Sequence, residues 1–109
     1  MTDNTCAYKI LTADQWAAFQ RAGEFAGAPI DLADGYIHLS SAEQLAGTLA
    51  KHFADADERI PAGLVVAEID LAMLGANIRW EKSRGDVLFP HLYDMPLPMA
   101  AVVSVKPAA

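Results

Sequence analysis

A chain of 109 residues, 53% of them hydrophobic and 20% charged, suits one folded domain over residues 1–109 and excludes a disordered polymer. No apolar run approaches the ~18 residues of a membrane span, the polar start Met1-Thr2-Asp3-Asn4-Thr5 is no signal peptide, and the lone Cys6 excludes an internal disulfide, so a cytoplasmic location is expected. A formal net charge of −6 with no Lys/Arg run argues against DNA or RNA as partner and leaves a small molecule.

Cys6-Ala7-Tyr8-Lys9-Ile10-Leu11 reads as a strand. Thr12 with Gln15 forms a capping-box pattern, Trp16 and Phe19 give a helical apolar stripe, and Gly23 is a stop signal. Gly27-Ala28-Pro29 holds breakers and no period, which predicts a loop. Asp34-Gly35 is a turn signal, after which Tyr36-Ile37-His38-Leu39 reads as a short strand. Its alternation sends Ile37 and Leu39 to the core and Tyr36, His38 and Ser40 to the opposite face.

Ser41 with Gln44 is a second capping-box pattern, opening a helix to about Phe53 with Leu45, Leu49 and Phe53 as its buried stripe. On that reading Leu49→Ala costs ~2–5 kcal/mol. Asp55-Ala56-Asp57-Glu58-Arg59 reads as a solvated loop. Leu64 to Ile69 is a central strand, and Asp70 caps one turn over Leu71-Ala72-Met73-Leu74, ended by Gly75. Ile78-Arg79-Trp80-Glu81 alternates as a strand, Lys82 to Asp86 turns, and Val87-Leu88-Phe89 returns. Pro90 lacks a ladder donor, so that strand is expected at an edge or to stop there. Ala101 to Val105 is the last strand. Trp16, Trp80 and Phe89 read as core. The order predicts an α+β fold with two main helices.

Three polar clusters stand at strand ends: Tyr36/His38/Ser40/Ser41, Arg79/Glu81/Ser83 and His91/Tyr93. His38 and His91 are candidate proton carriers because imidazole titrates near neutrality. Arg79 offers a planar fork for an anion, and Lys9, Arg79, Lys82 and Arg84 are a candidate anion pocket. Plainer roles stand beside these: His38 fixing a turn, Ser40 or Ser41 capping a helix, Arg79 and Glu81 paired on a sheet face, Thr48 and His52 packing at a rim. Cys6 reads as a packing residue. The three histidines lack metal-ligand spacing, and there is no Walker or GxGxxG pattern, so no metal is expected.

Asp34-Gly35-Tyr36-Ile37-His38-Leu39-Ser40-Ser41-Ala42-Glu43-Gln44, Arg79-Trp80-Glu81-Lys82-Ser83 and Phe89-Pro90-His91-Leu92-Tyr93 together resemble the bacterial and plant family called domain of unknown function 952, from Tyr8 to about Val105. That resemblance implies an ADP-ribosyltransferase-like fold with a split, mostly antiparallel sheet. In that wider group a first-strand His or Arg grips NAD and a Ser/Thr-rich second strand buttresses the pocket. Lys9 stands at the first position here, Leu39-Ser40-Ser41 resembles the second, and Glu81 is the candidate for the transferases' catalytic Glu.

The expected function is therefore an enzyme acting on an NAD-, nucleotide- or ADP-ribose-like substrate in one His/Arg/Glu cleft. His38, Glu81 and His91 are its catalytic candidates; Tyr36, Ser40, Ser41, Arg79, Ser83 and Tyr93 are its ligand-binding candidates. NAD is the cofactor that fold analogy suggests. The alternative is a non-catalytic module binding a small anionic metabolite. In either case Arg79→Ala is expected to abolish anion binding without unfolding the chain.

Overall fold

The structure is a computed structural model, and it describes residues 5–54, 57, 59–84 and 86–108, with the backbone alone at Arg84. Asp55, Ala56 and Glu58 of the expected acidic loop lie outside the described residues, as does Gly85 of the expected turn.

Among the described residues, eight strands form three antiparallel sheets. β1 (Cys6–Leu11), β4 (Val65–Asp70) and β8 (Val102–Pro107) make the first, with β4 central. β3 (Ile37–His38), β6 (Val87–Leu92) and β5 (Ile78–Arg84) make the second, with β6 central. β2 (Glu24–Phe25) and β7 (Leu97–Pro98) pair as a small third. The two larger sheets meet where Tyr8 and Ser40 exchange backbone bonds, Tyr8 N–H to Ser40 O at 2.7 Å and Ser40 N–H to Tyr8 O at 2.9 Å. Both residues line the cleft described below.

Among the described residues, three α-helices pack around this frame rather than the two main helices expected. α1 (Ala13–Ala22) starts on the Thr12/Gln15 capping box and ends on Gly23 at φ 78°, both as its sequence predicts. α2 (Pro29–Asp34) was not expected; it runs from the end of the expected Gly27-Ala28-Pro29 loop to the expected Asp34-Gly35 turn. Pro29 acts there as a helix opener, since its missing N–H is an orphan in any first turn. Gly35, at φ 86°, is the left-handed C-cap and bonds its N–H to Asp31 O at 2.9 Å.

α3 (Leu45–His52) begins later than expected. Ser41 does not cap it; instead Gln44 Oε1 accepts from Ser41 N–H at 2.9 Å, so only half of the box forms. No α3 residue is buried. Leu45, Leu49 and Phe53 are half-exposed because cavities, not side chains, lie beside them.

Pro90 sits inside the central strand β6, opposite Trp80, not at an edge. Its carbonyl accepts from Leu39 N–H at 3.1 Å, so its nitrogen faces the β3 side as well. There β3 has already ended, and the missing donor leaves the β5 ladder intact.

The core gathers Ala7 and Leu11 of β1, Phe19, Ile37, Leu39, Ala67, Ile69, Leu92 and Leu97, all close to fully buried. Phe89 is buried as expected; Trp16, Trp80 and Val65 are partly buried against this core. Asp70 caps the turn Leu71–Met73 by accepting from Ala72 N–H at 3.0 Å. No described helix is long and apolar enough to cross a membrane.

Candidate functional site

Ala7, Lys9 and Leu11 leave β1 on one face, and all three are buried. An ammonium in that row needs a carboxylate, because a buried unpaired charge is strongly disfavoured. α2 supplies Asp31, 2% exposed, whose oxygens accept from Lys9 Nζ at 3.2 and 2.9 Å. The same carboxylate accepts from Ala28 N–H at 2.8 Å, which caps α2, and from His38 N–H at 3.0 Å. Gly27 makes this approach possible: at φ 131°, a Cβ there would stand 3.0 Å from Asp31 Cβ.

Burial by itself would raise the Asp31 pKa, but the His38 hydrogen bond and the Lys9 charge outweigh it and hold the carboxyl down at about 2. Burial pushes Lys9 down, against the opposing pull of Asp31. Lys9 Nζ also donates to His38 O at 2.9 Å. The three ammonium hydrogens thus meet three acceptors within the protein.

His38 is held at both ring nitrogens, Nδ1 at 2.6 Å from Asp31 Oδ1 and Nε2 at 2.9 Å from Asp34 Oδ2. His91, paired with it across β3 and β6, is different. Its Nδ1 lies 2.9 Å from Glu81 Oε1, its ring is 2% exposed, and its Nε2 is buried with no hydrogen-bond partner among the described residues. Burial lowers the His91 pKa, with the Glu81 hydrogen bond opposing. Glu81 Oε1 also accepts from Tyr93 Oη at 2.6 Å. That bond, then the one from His91, lowers the Glu81 pKa, and donating to Glu81 pushes the Tyr93 phenol up to about 12.

Aromatic rings join these groups. The Tyr36 ring stands 4.1 Å from His91, 4.6 Å from His38 and 5.1 Å from Tyr93, and the two imidazoles are 5.6 Å apart between centroids. Arg79 lies 4.6 Å over the outer Tyr93 ring.

A cleft of about 530 Å³ opens beside this cluster, within the range of small-molecule sites. Tyr36, His38, Ser40, Ser83 and His91 line it; Ser41, Arg79, Glu81 and Tyr93 do not. Glu81 reaches the cleft through His91. Arg79 is not paired with Glu81 in any salt bridge among the described residues; it stacks on Tyr93 instead. Ser40 Oγ is 2.9 Å from Thr48 Oγ1, tying the cleft floor to α3.

The proposed four-cation anion pocket does not assemble as expected. Lys9 is closed against Asp31, Arg79 is on Tyr93, and Lys82 is 67% exposed beside Asp86; the Arg84 side chain lies outside the described residues. No group of three or more His, Cys, Asp or Glu among the described residues could hold a metal. Cys6 lies 3.5 Å from Glu68 Oε2, away from the cleft.

Several residues of the site had no functional reading in the sequence: the cleft-lining Asp34, Lys51 and Phe53, and the buried Asp31, which holds Lys9 and His38 without lining the cleft. The accessible signal was Lys9, a lysine in phase with two core residues, which demands a buried acid somewhere in the chain.

A family model described as "Protein of unknown function (DUF952)" matches residues 10–105, nearly the whole span from Tyr8 to about Val105 over which the resemblance runs. The chain belongs to that family. Among solved structures it is similar to protein CC0527 from Caulobacter crescentus. The crystal structure of CC0527 is 42% identical with a TM-score of 0.85, covering 94% of this chain and 85% of that one. Its solution NMR structure is also 42% identical, with a TM-score of 0.77 over 94% and 83% of the two chains. No curated protein matches. The DUF952 fold is thus supported by close relatives, and its chemistry has to be read from the cleft.

Proposed function

We propose that this DUF952 protein is a small cytoplasmic enzyme with an ADP-ribosyltransferase-like split sheet, and that its cleft takes a nucleotide- or ADP-ribose-like substrate. His91 is the proton carrier. Its orphaned, buried Nε2 is the observation that carries this reading: Glu81 holds Nδ1, as the orienting acid of a catalytic histidine does, and the free nitrogen is left to take a proton from a ligand hydroxyl or a water. Tyr36, Ser40 and Ser83 contact the ligand, and Glu81 and Tyr93 position His91. His38, with both nitrogens on carboxylates, holds α2 and β3 together beside the substrate.

The implied grip of the first strand on NAD does not fit these residues. Lys9 has spent its three donors on Asp31 and His38, so NAD would have to be held by other groups, and no step is derived through it.

A thermal-shift panel of NAD, ADP-ribose, nucleotides and sugar phosphates tests the reading, because a ligand specific to the folded state raises its apparent stability. The expected result is a raised Tm for a nucleotide or ADP-ribose compound, with slow conversion of that compound that His91→Phe abolishes. No shift across the panel overturns it. A second reading, a non-catalytic module for a small anionic metabolite, is favoured by Lys51, an exposed cation on the cleft wall. A ligand recovered unchanged, bound equally by His91→Phe, would select that reading.

A further inference from the structure

Resting on the cleft reading above, we propose that the inner end of the cleft selects an uncharged hydrogen-bond donor, an amide N–H or a hydroxyl, through Nε2 of His91. A ligand then enters with its donor-bearing end first, and any anionic group stays outward beside Lys51.

The hydrogen-bond pattern sets the inner end. Glu81 Oε1 can only accept, so His91 Nδ1, 2.9 Å away, carries the ring hydrogen. Nε2 of the neutral ring presents a lone pair, and it is buried without a partner among the described residues. An unmatched buried acceptor is costly, and a ligand donor removes that cost. A carboxylate or phosphate oxygen at the same place would set acceptor against acceptor.

Among the described cleft residues, Lys9 and His38 are already engaged and do not compensate an anion there. Lys9 is fully engaged by Asp31 and His38 O. His38, the other imidazole, faces Asp31 and Asp34 at its two nitrogens. With the His91 ring 2% exposed, a slender N–H or O–H reaches it more readily than a tetrahedral phosphate. Ile10, Leu39, Phe53 and Phe89 line the same cleft and suit a flat apolar body. Lys51, on α3, is exposed and has no ion-pair partner among the described residues. It is the outward cation.

The selection follows the ring's proton. Glu81 faces His91 from β5, Tyr36 and His38 from β3 and the turn before it, and Asp34 from α2. Burial holds His91 below its ordinary value, so the ring is neutral at neutral pH. Once protonated, Nε2 becomes a donor and the preference turns toward anions.

Phenylacetamide and phenylacetate, similar in size and different in charge, provide the test. Each is titrated into the full chain carrying ¹⁵N-labelled histidine, read by the His91 ring nitrogens and by Tm. At about pH 7.5 the amide is expected to shift the Nε2 resonance and to bind at least about tenfold more tightly than the acid. The ratio is expected to narrow as pH falls and the ring protonates. His91→Phe removes the preference; should that variant not fold, Glu81→Gln, whose amide can accept from or donate to Nδ1 and so no longer fixes the tautomer, weakens it in a folded chain. Equal or tighter binding of phenylacetate near pH 7.5 overturns the proposal, as does binding of neither probe, which would leave Nε2 to a bound water. These probes contain no nucleotide: a failed nucleotide panel with a discriminating amide removes the substrate class and keeps this selection, and the reverse result does the opposite.

Discussion

Asp31 and His38 are joined twice, through the ring Nδ1 at 2.6 Å and the backbone N–H at 3.0 Å, both on the same oxygen, Oδ1. The backbone bond fixes the carboxylate beside the ring, and turning the ring away would break its bonds to both Asp31 and Asp34. The ring therefore keeps Nε2 on Asp34 and leaves His91 as the imidazole with a free nitrogen. The same carboxylate also holds Lys9 and the start of α2, so one buried acid links β1, α2 and β3.

Asp31→Asn is expected to destabilise the protein by about 3–5 kcal/mol, because it keeps the shape and strands the Lys9 ammonium without its counter-charge. Adding Lys9→Met should restore much of that loss. Urea denaturation of the two variants measures both. A double variant as unstable as Asp31→Asn alone would show that the hydrogen bonds to His38 and Ala28, not the ion pair, carry the effect.

Acid should act through the same residue. The Asp31 carboxyl titrates at about 2 in the folded chain against an ordinary 3.8. A depressed folded pKa means the unfolded state binds the proton more tightly. The contribution, about 2 kcal/mol, is thus present above pH ~4 and lost as pH falls through ~2. Stability measured across that window should fall in the wild type and fall less steeply in Asp31→Asn.

What the sequence showed and what it hid follow from the range of the signals. β1, α1 and the turn at Asp70 are written locally, as a capping box, a left-handed glycine and an Asp cap, and they form where expected. α2 was hidden because its six residues show no apolar stripe: Ile30 and Leu32 are exposed, and the residue that buries is Asp31. Its Pro29 and Gly35 carry helix-start and helix-stop meanings only once that acid has a partner 22 positions away on β1. Alternation correctly set Ile37 and Leu39 inward and Tyr36 and His38 toward the other face. The division between His91, which lines the cleft, and Glu81, which does not, and the capture of Arg79 by Tyr93, depend on cross-strand register that no local pattern encodes.

Tyr93 offers a spectroscopic check on the Glu81 network. Its phenol is pushed up to about 12, chiefly by donating to Glu81. Glu81→Gln should bring one tyrosine back toward its ordinary value of ~10 in an ultraviolet pH titration. An unchanged titration would mean Tyr93 does not donate to this carboxylate in solution.

α3 should be the least stable helix of the protein. Its eight residues include none that is buried. Leu45 and Leu49 border a second cavity of about 320 Å³, lined on the sheet side by Val66 and Ser104, while Thr48, Lys51 and His52 border the first cleft. With voids on two sides and Gly47 inside, a position that weakens a helix by about 1 kcal/mol relative to Ala, few contacts hold it. Leu49→Ala should therefore cost about 1 kcal/mol, below the ~2–5 of a packed core site, because it enlarges a space already open. Amide exchange should run faster in α3 than in β4 and slow when a ligand fills the cleft, since local opening follows sparse burial. Core-level protection of α3, or a Leu49→Ala loss well above 2 kcal/mol, would mean that the helix packs against the sheet in solution and that neither cavity persists.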